Sequence, residues 1–290
     1  MQPIFDIELL IRRKRRALAA AEPGSDFLIR RVADDLAERV ATLNRTFDAA
    51  ATLFCHGPLA AEVLVASGKV EDVVAVESDT AFLADRTGVV APPETVPLQP
   101  ASLDLAVSLL SLHEINDVPG MLVQVRRALR PDGLFLAAMA GAGTLAELRD
   151  SLIAAETDIS GGASPRVMPF ADVRDAGALL QRAGFNLPVA DTETVTVRYG
   201  SMFGLLRDLR AMGSTNALLD RTRRPASRRL FARASEIYAE RFSDADGRIR
   251  ATFSFIWMSG WVPHETQQKP LKPGSAQVSL AKILDPGRKS

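Results

Sequence analysis

The stretch AATLFCHGPLAAEVL, Ala50 to Leu64, decides the fold. An apolar run enters a tight turn, and a helix leaves at once through Pro58, whose missing N–H is no loss in a first helical turn. Folds that bind nucleotides place small residues in such a turn, so that main chain can approach a ligand. Here Phe54, His56 and Pro58 stand in the turn, with Gly57 its only glycine. The spacing of the elements is that of a nucleotide fold; the side chains are not.

Outward from the turn, short apolar runs recur at 50–55, 73–77, 104–109 and 133–140, and helical segments at about 58–67, 80–86 and 119–129 separate them. Strands alternating with helices imply βαβ units, hence an α/β fold with a mostly parallel sheet and helices on both faces. LRPDGLFLAAM reads as a helix end, a Pro-Asp-Gly turn and a buried strand. A helix follows at about 144–157, then a glycine-rich loop and a further helix that Gly184 ends.

Two helices, 5–20 and 26–44, precede this core. Leu28, Val32, Leu36, Val40 and Leu43 give the second an apolar face at helical spacing. The run Arg12 to Arg16 on the first reads as a solvated face. After the core, ETVTVRYG alternates like a strand, two helices follow, and RIRATFSFIWMSGWV is long enough to be a strand returning at the sheet edge. This strand–helices–strand insertion is a natural cover for a site. Its cluster Arg221, Arg223, Arg224, Arg228 and Arg229 reads equally as a surface for a partner protein or as a solvated interhelical loop. The organisation expected is 1–48 as N-terminal helices, 49–193 as core and 194–290 as insertion, returning strand and tail, all in one structural unit.

Composition removes several function classes. The 290 residues carry 35 Lys and Arg against 35 Asp and Glu, which argues against a general nucleic-acid binder. No apolar run is long enough to span a bilayer. A single cysteine, Cys55, excludes an intramolecular disulfide, and the first residues lack a signal-peptide pattern, so a cytoplasmic location is expected. His56, His113 and His264 lie far apart and no Cys-x-x-Cys occurs, so no metal site is expected.

A doubly wound sheet binds its ligand beyond the carboxyl ends of its strands, near the point where strand order reverses. Three positions should meet there. One is the turn at 52–58. The second is Glu77, twenty residues after Gly57, at a spacing that suits a carboxylate on ribose hydroxyls but also an acid facing solvent. The third is the loop SLLSLHEIND, whose His113, Glu114, Asn116 and Asp117 could orient a substrate or move a proton.

The stretch SLDLAVSLLSLHEINDVPGMLVQVRRALRPDGLFLAAM resembles the fourth- and fifth-strand motifs of class I S-adenosylmethionine-dependent methyltransferases. TLAELRDSL, SPRVMPFADVRDAGALLQRAGF, DLRAMGSTN and the tail GWVPHETQQKPLKPGSAQVSL are similar to the complex I assembly factor 5 family and its alphaproteobacterial relatives. More distantly the chain resembles the malonyl-carrier-protein methyltransferases of biotin synthesis. The resemblance implies a Rossmann-like seven-stranded sheet and an S-adenosyl-L-methionine site. It also implies a protein substrate, a respiratory complex I subunit, modified by arginine hydroxylation or methyl transfer. His113 and Asn116 are the catalytic candidates. Thr52, His56, Gly57, Glu77, Ser78, Glu94 and Leu109 are the cofactor-binding candidates.

The chain departs from the family pattern at the cofactor. The glycine motif's acid falls on Thr52 and its glycines on Phe54, His56 and Pro58; the adenine-contacting acid falls on Pro92. A tryptophan usual after the site histidine has become Glu114. Each charge-assisted hydrogen bond lost costs roughly 1.5–3 kcal/mol. Two lost acids therefore predict weak affinity for S-adenosylmethionine. The alternative function is a non-catalytic binding or assembly protein on a methyltransferase fold.

Overall fold

The computed structural model describes residues 2–267; residues 268–280 of the tail motif lie outside them. Two helices, α1 (Ile7–Ala20) and α2 (Phe27–Thr42), lead into β1 (Phe47–Leu53), α3 (Leu59–Ala66) and β2 (Val70–Glu77). The short α4 (Thr80–Leu83), β3 (Gly88–Val90), β4 (Leu103–Leu109), α5 (Val118–Ala128) and β5 (Leu129–Ala140) follow. Then come α6 (Ala146–Ser160), α7 (Val173–Ala183), β6 (Asn186–Tyr199), α8 (Met202–Ala211), α9 (Arg228–Phe242) and β7 (Ile249–Trp261).

The seven strands lie in the order β3-β2-β1-β4-β5-β7-β6. Strands β1 to β5 pair in parallel, while β7 is antiparallel to both β5 and β6. Strand order reverses between β1, which pairs with β2, and β4 on its other side. The turns after Leu53 and Leu109 therefore emerge next to one another, at the switch point where such sheets bind ligands.

The returning strand is not at the edge, as the sequence reading expected. β7 inserts between β5 and β6, and β6 is the edge. Its alternation explains why. Phe253, Phe255 and Trp257 pack into the core on one face of the sheet, and Ile256 and Met258 into the core on the other. A strand apolar on both faces gains most from an interior position. β6, half-exposed along its length, tolerates the edge.

Two further readings change. The Pro-Asp-Gly segment is not a separate turn: it lies inside β5 as a local irregularity, between the pairs Leu103↔Leu129 and Leu105↔Leu134, with Asp132 at φ 62°. β3 is an added strand of three residues, too short to show a period. Elsewhere local chemistry sets the ends. Asp6 caps α1 by accepting from the Leu9 N–H at 3.1 Å, and Gly184 ends α7 in the left-handed region at φ 85°.

Candidate functional site

The turn after β1 keeps the backbone shape of a glycine loop without the glycines. Phe54 stands at φ 53° and His56 at φ 55°, both left-handed. For a residue with a Cβ that conformation costs about 1–2 kcal/mol, so surrounding structure must hold it. The Phe54 ring does so from inside: it is 2 % exposed and belongs to the core cluster that includes Leu53, Val76 and Leu112. The ring thus packs into the core and not into the ligand space beyond the turn. His56 is turned the other way, its ring edge-on to Phe82 with centroids 5.0 Å apart.

Glu77, at the end of β2, is fully buried. One carboxylate oxygen accepts from the His56 N–H at 3.2 Å; the other lies 3.5 Å from the Arg86 guanidinium. Burial pushes its carboxyl up to about 7, against the lowering influence of Arg86 and the turn's N–H groups. Arg86 is held in turn by the Leu83 carbonyl at 3.0 Å and by the Phe82 carbonyl.

The loop after β4 holds the second group of charges. Glu114 is 3 % exposed, and its Oε2 lies 2.8 Å from Lys14 Nζ on α1. Burial, the largest single influence, would raise the Glu114 carboxyl, but Lys14, His113 and His56 together hold the group below its ordinary value. His113 accepts from the Ala140 N–H through Nδ1 at 3.3 Å, so its neutral ring carries the proton on Nε2, 4.0 Å from Glu114 Oε1. Burial lowers His113 to about 4 and His56 to about 3, so both are neutral near pH 7.

His56 and His113 share a cavity of about 970 Å³. Its floor is the turn from Cys55 to Ala60 with Leu109, Leu110 and Ala140; Lys14, Ala17 and Leu18 of α1 form one wall. Leu209 and Ala211 of α8, Met212, Phe253 and Phe255 form the other, and Glu22, Asp26 and Glu62 are its acidic residues. This size suits a small molecule or an inserted side chain.

Of the residues singled out from the sequence, the cavity brings together His56, Gly57, Leu109 and His113. The others are absent from its lining. Thr52 is fully buried and its hydroxyl has no partner among the described residues; the same holds for the Ser78 hydroxyl. Glu94 accepts from the Asn116 N–H through its carboxylate and from Gln124 through its carbonyl at 2.7 Å. Asn116 accepts from the Ile4 and Phe5 N–H groups at 2.7 and 2.8 Å. It pins the N-terminal segment, a positioning role.

The sequence reading expected a helix at α1 but missed its part in the site. Within its basic run, Lys14 pairs with buried Glu114, and Arg13 donates to the Thr215 carbonyl at 3.0 Å and to the Asn216 carbonyl. These two residues are fixed to the protein instead of facing solvent. The signal lay in DLRAMGSTN: Gly213 has φ 70°, and a Cβ there would sit 2.9 Å from the Lys14 Cα. Glycine is what lets α1 close over the site.

Residues 55–137 match the methyltransferase domain family. Human arginine-hydroxylase NDUFAF5, mitochondrial, is 38% identical over 302 residues, an alignment that covers 99% of this chain and 87% of the human protein. The chain belongs to the NDUFAF5 family. Beyond NDUFAF5, the malonyl-[acyl-carrier protein] O-methyltransferase of Xylella fastidiosa (strain M23) is 36% identical over 169 residues, 58% of this chain and 55% of that protein. Among solved structures, a Bacillus halodurans C-125 protein classed with the methyltransferases superposes with a TM-score of 0.55 at 14% identity, over 79% of this chain and 98% of the other. That likeness is one of fold.

Within this NDUFAF5 relative the two ends of a methyltransferase cofactor find different receptions. The turn retains the left-handed main chain, and His56 to Ala60 at the start of α3 wall the cavity, which fits an amino-acid end. The nucleoside end does not fit: Glu77 is fully buried and outside the cavity wall, and Pro92 offers no carboxylate. No group of three or more His, Cys, Asp or Glu among the described residues could hold a metal ion.

Proposed function

We propose that this protein acts on an arginine side chain of a protein partner, received in the cavity between α1, the turn after β1 and the end of α8. The carrying observation is the lining of that cavity: the carboxylates of Glu22, Asp26 and Glu62 share it with a neutral His113 whose proton is on Nε2. An ionised carboxylate pairs with a guanidinium, and a neutral imidazole can position it or exchange a proton with it. The apolar walls, Leu18, Phe27, Leu209 and Met212, suit the aliphatic stem of arginine. Relatives named arginine-hydroxylase support the same substrate.

The partner in this reading is a complex I subunit, as the sequence resemblance implies. The insertion after residue 194, with its exposed Arg223, Arg224, Arg228 and Arg229, provides the outer contact surface, whereas Arg221 is held within the protein by Asp6 at 3.0 Å; the core at 49–193 carries the turn and Glu77. No helix among the described residues is long and apolar enough to cross a membrane. We assign the protein to a reducing compartment, the cytoplasm, where the free, buried Cys55 stays reduced.

The test is mass spectrometry of an arginine-containing peptide from such a subunit, after incubation with the protein, reductant and air, with and without S-adenosylmethionine. A gain of one oxygen supports hydroxylation, and a gain of one methylene supports methyl transfer. No change, together with no binding of the peptide by titration, removes the arginine reading.

A further inference from the structure

At the strand end where a methyltransferase would meet a nucleoside, Glu77 faces other groups of the protein itself. Glu77 would be expected to accept from ribose hydroxyls, but it is fully buried and turned onto internal partners. Its two oxygens face the His56 N–H at 3.2 Å and the Arg86 guanidinium at 3.5 Å. Phe82, itself 1 % exposed, packs edge-on against His56 and lines the cavity, and its carbonyl accepts from Arg86. Arg86 is fixed by the carbonyls of Leu83 and Phe82, one turn of chain away. The Arg86 guanidinium supplies the opposite charge, although Glu77 Oε1 and Arg86 Nη1 have no hydrogen-bond partner among the described residues, and Glu77 is not among the residues that line the cavity.

We propose that Phe82 and Arg86 are specificity-determining residues: they seal the ribose position, so that the cavity rejects nucleoside-bearing ligands and takes only what fits its open half. A ribose seeking Glu77 must displace a guanidinium ion pair and a buried aromatic ring together. The open half keeps the turn, His113 and the α1 wall, which suffice for an inserted side chain. The proposal concerns the closed half of the cavity and stands whether or not the arginine reading holds.

The experiment is isothermal titration of the full chain with adenosine, S-adenosylhomocysteine and S-adenosylmethionine, for the wild type, Phe82→Ala, Arg86→Ala and Phe82→Ala/Arg86→Ala. Circular dichroism and thermal melting establish that each variant is folded. Arg86→Met serves as a milder variant if Arg86→Ala does not fold. The expected result is no saturable binding by the wild type and at least a tenfold gain for adenosine and S-adenosylhomocysteine in the double variant. That gain should disappear when Glu77→Gln is added. Micromolar adenosine or S-adenosylhomocysteine binding by the wild type overturns the proposal. A folded double variant that still binds no nucleoside also overturns it, because Phe82 and Arg86 are then not the barrier. Binding of an arginine peptide by the same preparations reports separately on the proposed function.

Discussion

Lys14 Nζ on α1 lies 2.8 Å from Glu114 Oε2 in the loop after β4, with both side chains mostly shielded from water. The pair joins the first helix of the chain, whose Lys14 lines the cavity, to the loop after β4, a hundred residues later. Removing one partner of a buried pair strands a charge and costs about 3–5 kcal/mol, whereas replacing both with apolar groups is often neutral. Lys14→Met and Glu114→Leu should each lower stability by that order in urea unfolding, and the double variant should recover most of it. Additive losses would show that the two charges act separately.

The two cavity histidines should make the protein acid-sensitive. Their folded values, about 3 for His56 and about 4 for His113, lie below the ordinary 6.5. As pH falls below 6.5 the unfolded chain binds protons that the folded protein refuses. The stability contributed by the neutral rings is thus complete above 6.5 and is lost as pH falls toward 4. For His113 the loss is on the order of 3 kcal/mol. His113→Gln should flatten the melting temperature against pH between 6.5 and 4; an unchanged slope would place the effect elsewhere.

Glu77 should act in the opposite sense. Its folded value of about 7 lies above the ordinary 4.5, so the folded protein takes up the proton first as pH falls. Its contribution is most favourable below 4.5 and is lost as pH rises through 7. Glu77→Gln should remove this slope, raising stability at pH 8 relative to pH 5 compared with the wild type. Melting curves at four or five pH values decide it.

Phe54 and His56 share a left-handed backbone but not a surrounding. Phe54→Gly relieves about 1 kcal/mol of backbone strain and gives up a buried ring worth about 3–5 kcal/mol, so a net loss is expected. His56→Gly relieves the same strain and gives up a ring that lines a cavity, so stability should change little. Chemical denaturation of the two variants side by side is sufficient; equal losses would contradict the placement of the two rings.

Gly213→Ala places a methyl group 2.9 Å from the Lys14 Cα at a residue with φ 70°. The strain and the clash together should cost about 1–3 kcal/mol. The damage should be local, with faster hydrogen exchange along α1 before any change in the sheet. Exchange that rises evenly through the protein would mean that α1 is not the element held by this glycine.

The fold was legible where a period could be counted. β1, β2, β4 and β5 showed as apolar runs, while β3 was three residues before a pair of prolines and left no pattern. The spacing that marked Glu77 was sound for its position on β2, but spacing cannot say whether a carboxylate faces solvent, ribose or an arginine nine residues on. Asn116 looked catalytic because amides in strand-end loops often are. Its use in pinning Ile4 and Phe5 depends on a segment more than a hundred residues away. Lys14 was hidden among four arginines, since a charge run does not reveal which member turns inward.

The interior place of β7 bears on how the protein is made. The strand that joins β5 to β6 is the last of the seven along the chain, arriving after two helices and some fifty residues of insertion. Until it emerges, β5 presents an open edge and β6 has no neighbour in the sheet. Synthesis on the ribosome therefore passes through a stage in which half the sheet is formed and its next ladder is missing, and unpaired edges of this kind invite aggregation. Closure must wait for residues 249–261, and a translational pause before them would prolong the time that the nascent chain depends on chaperones.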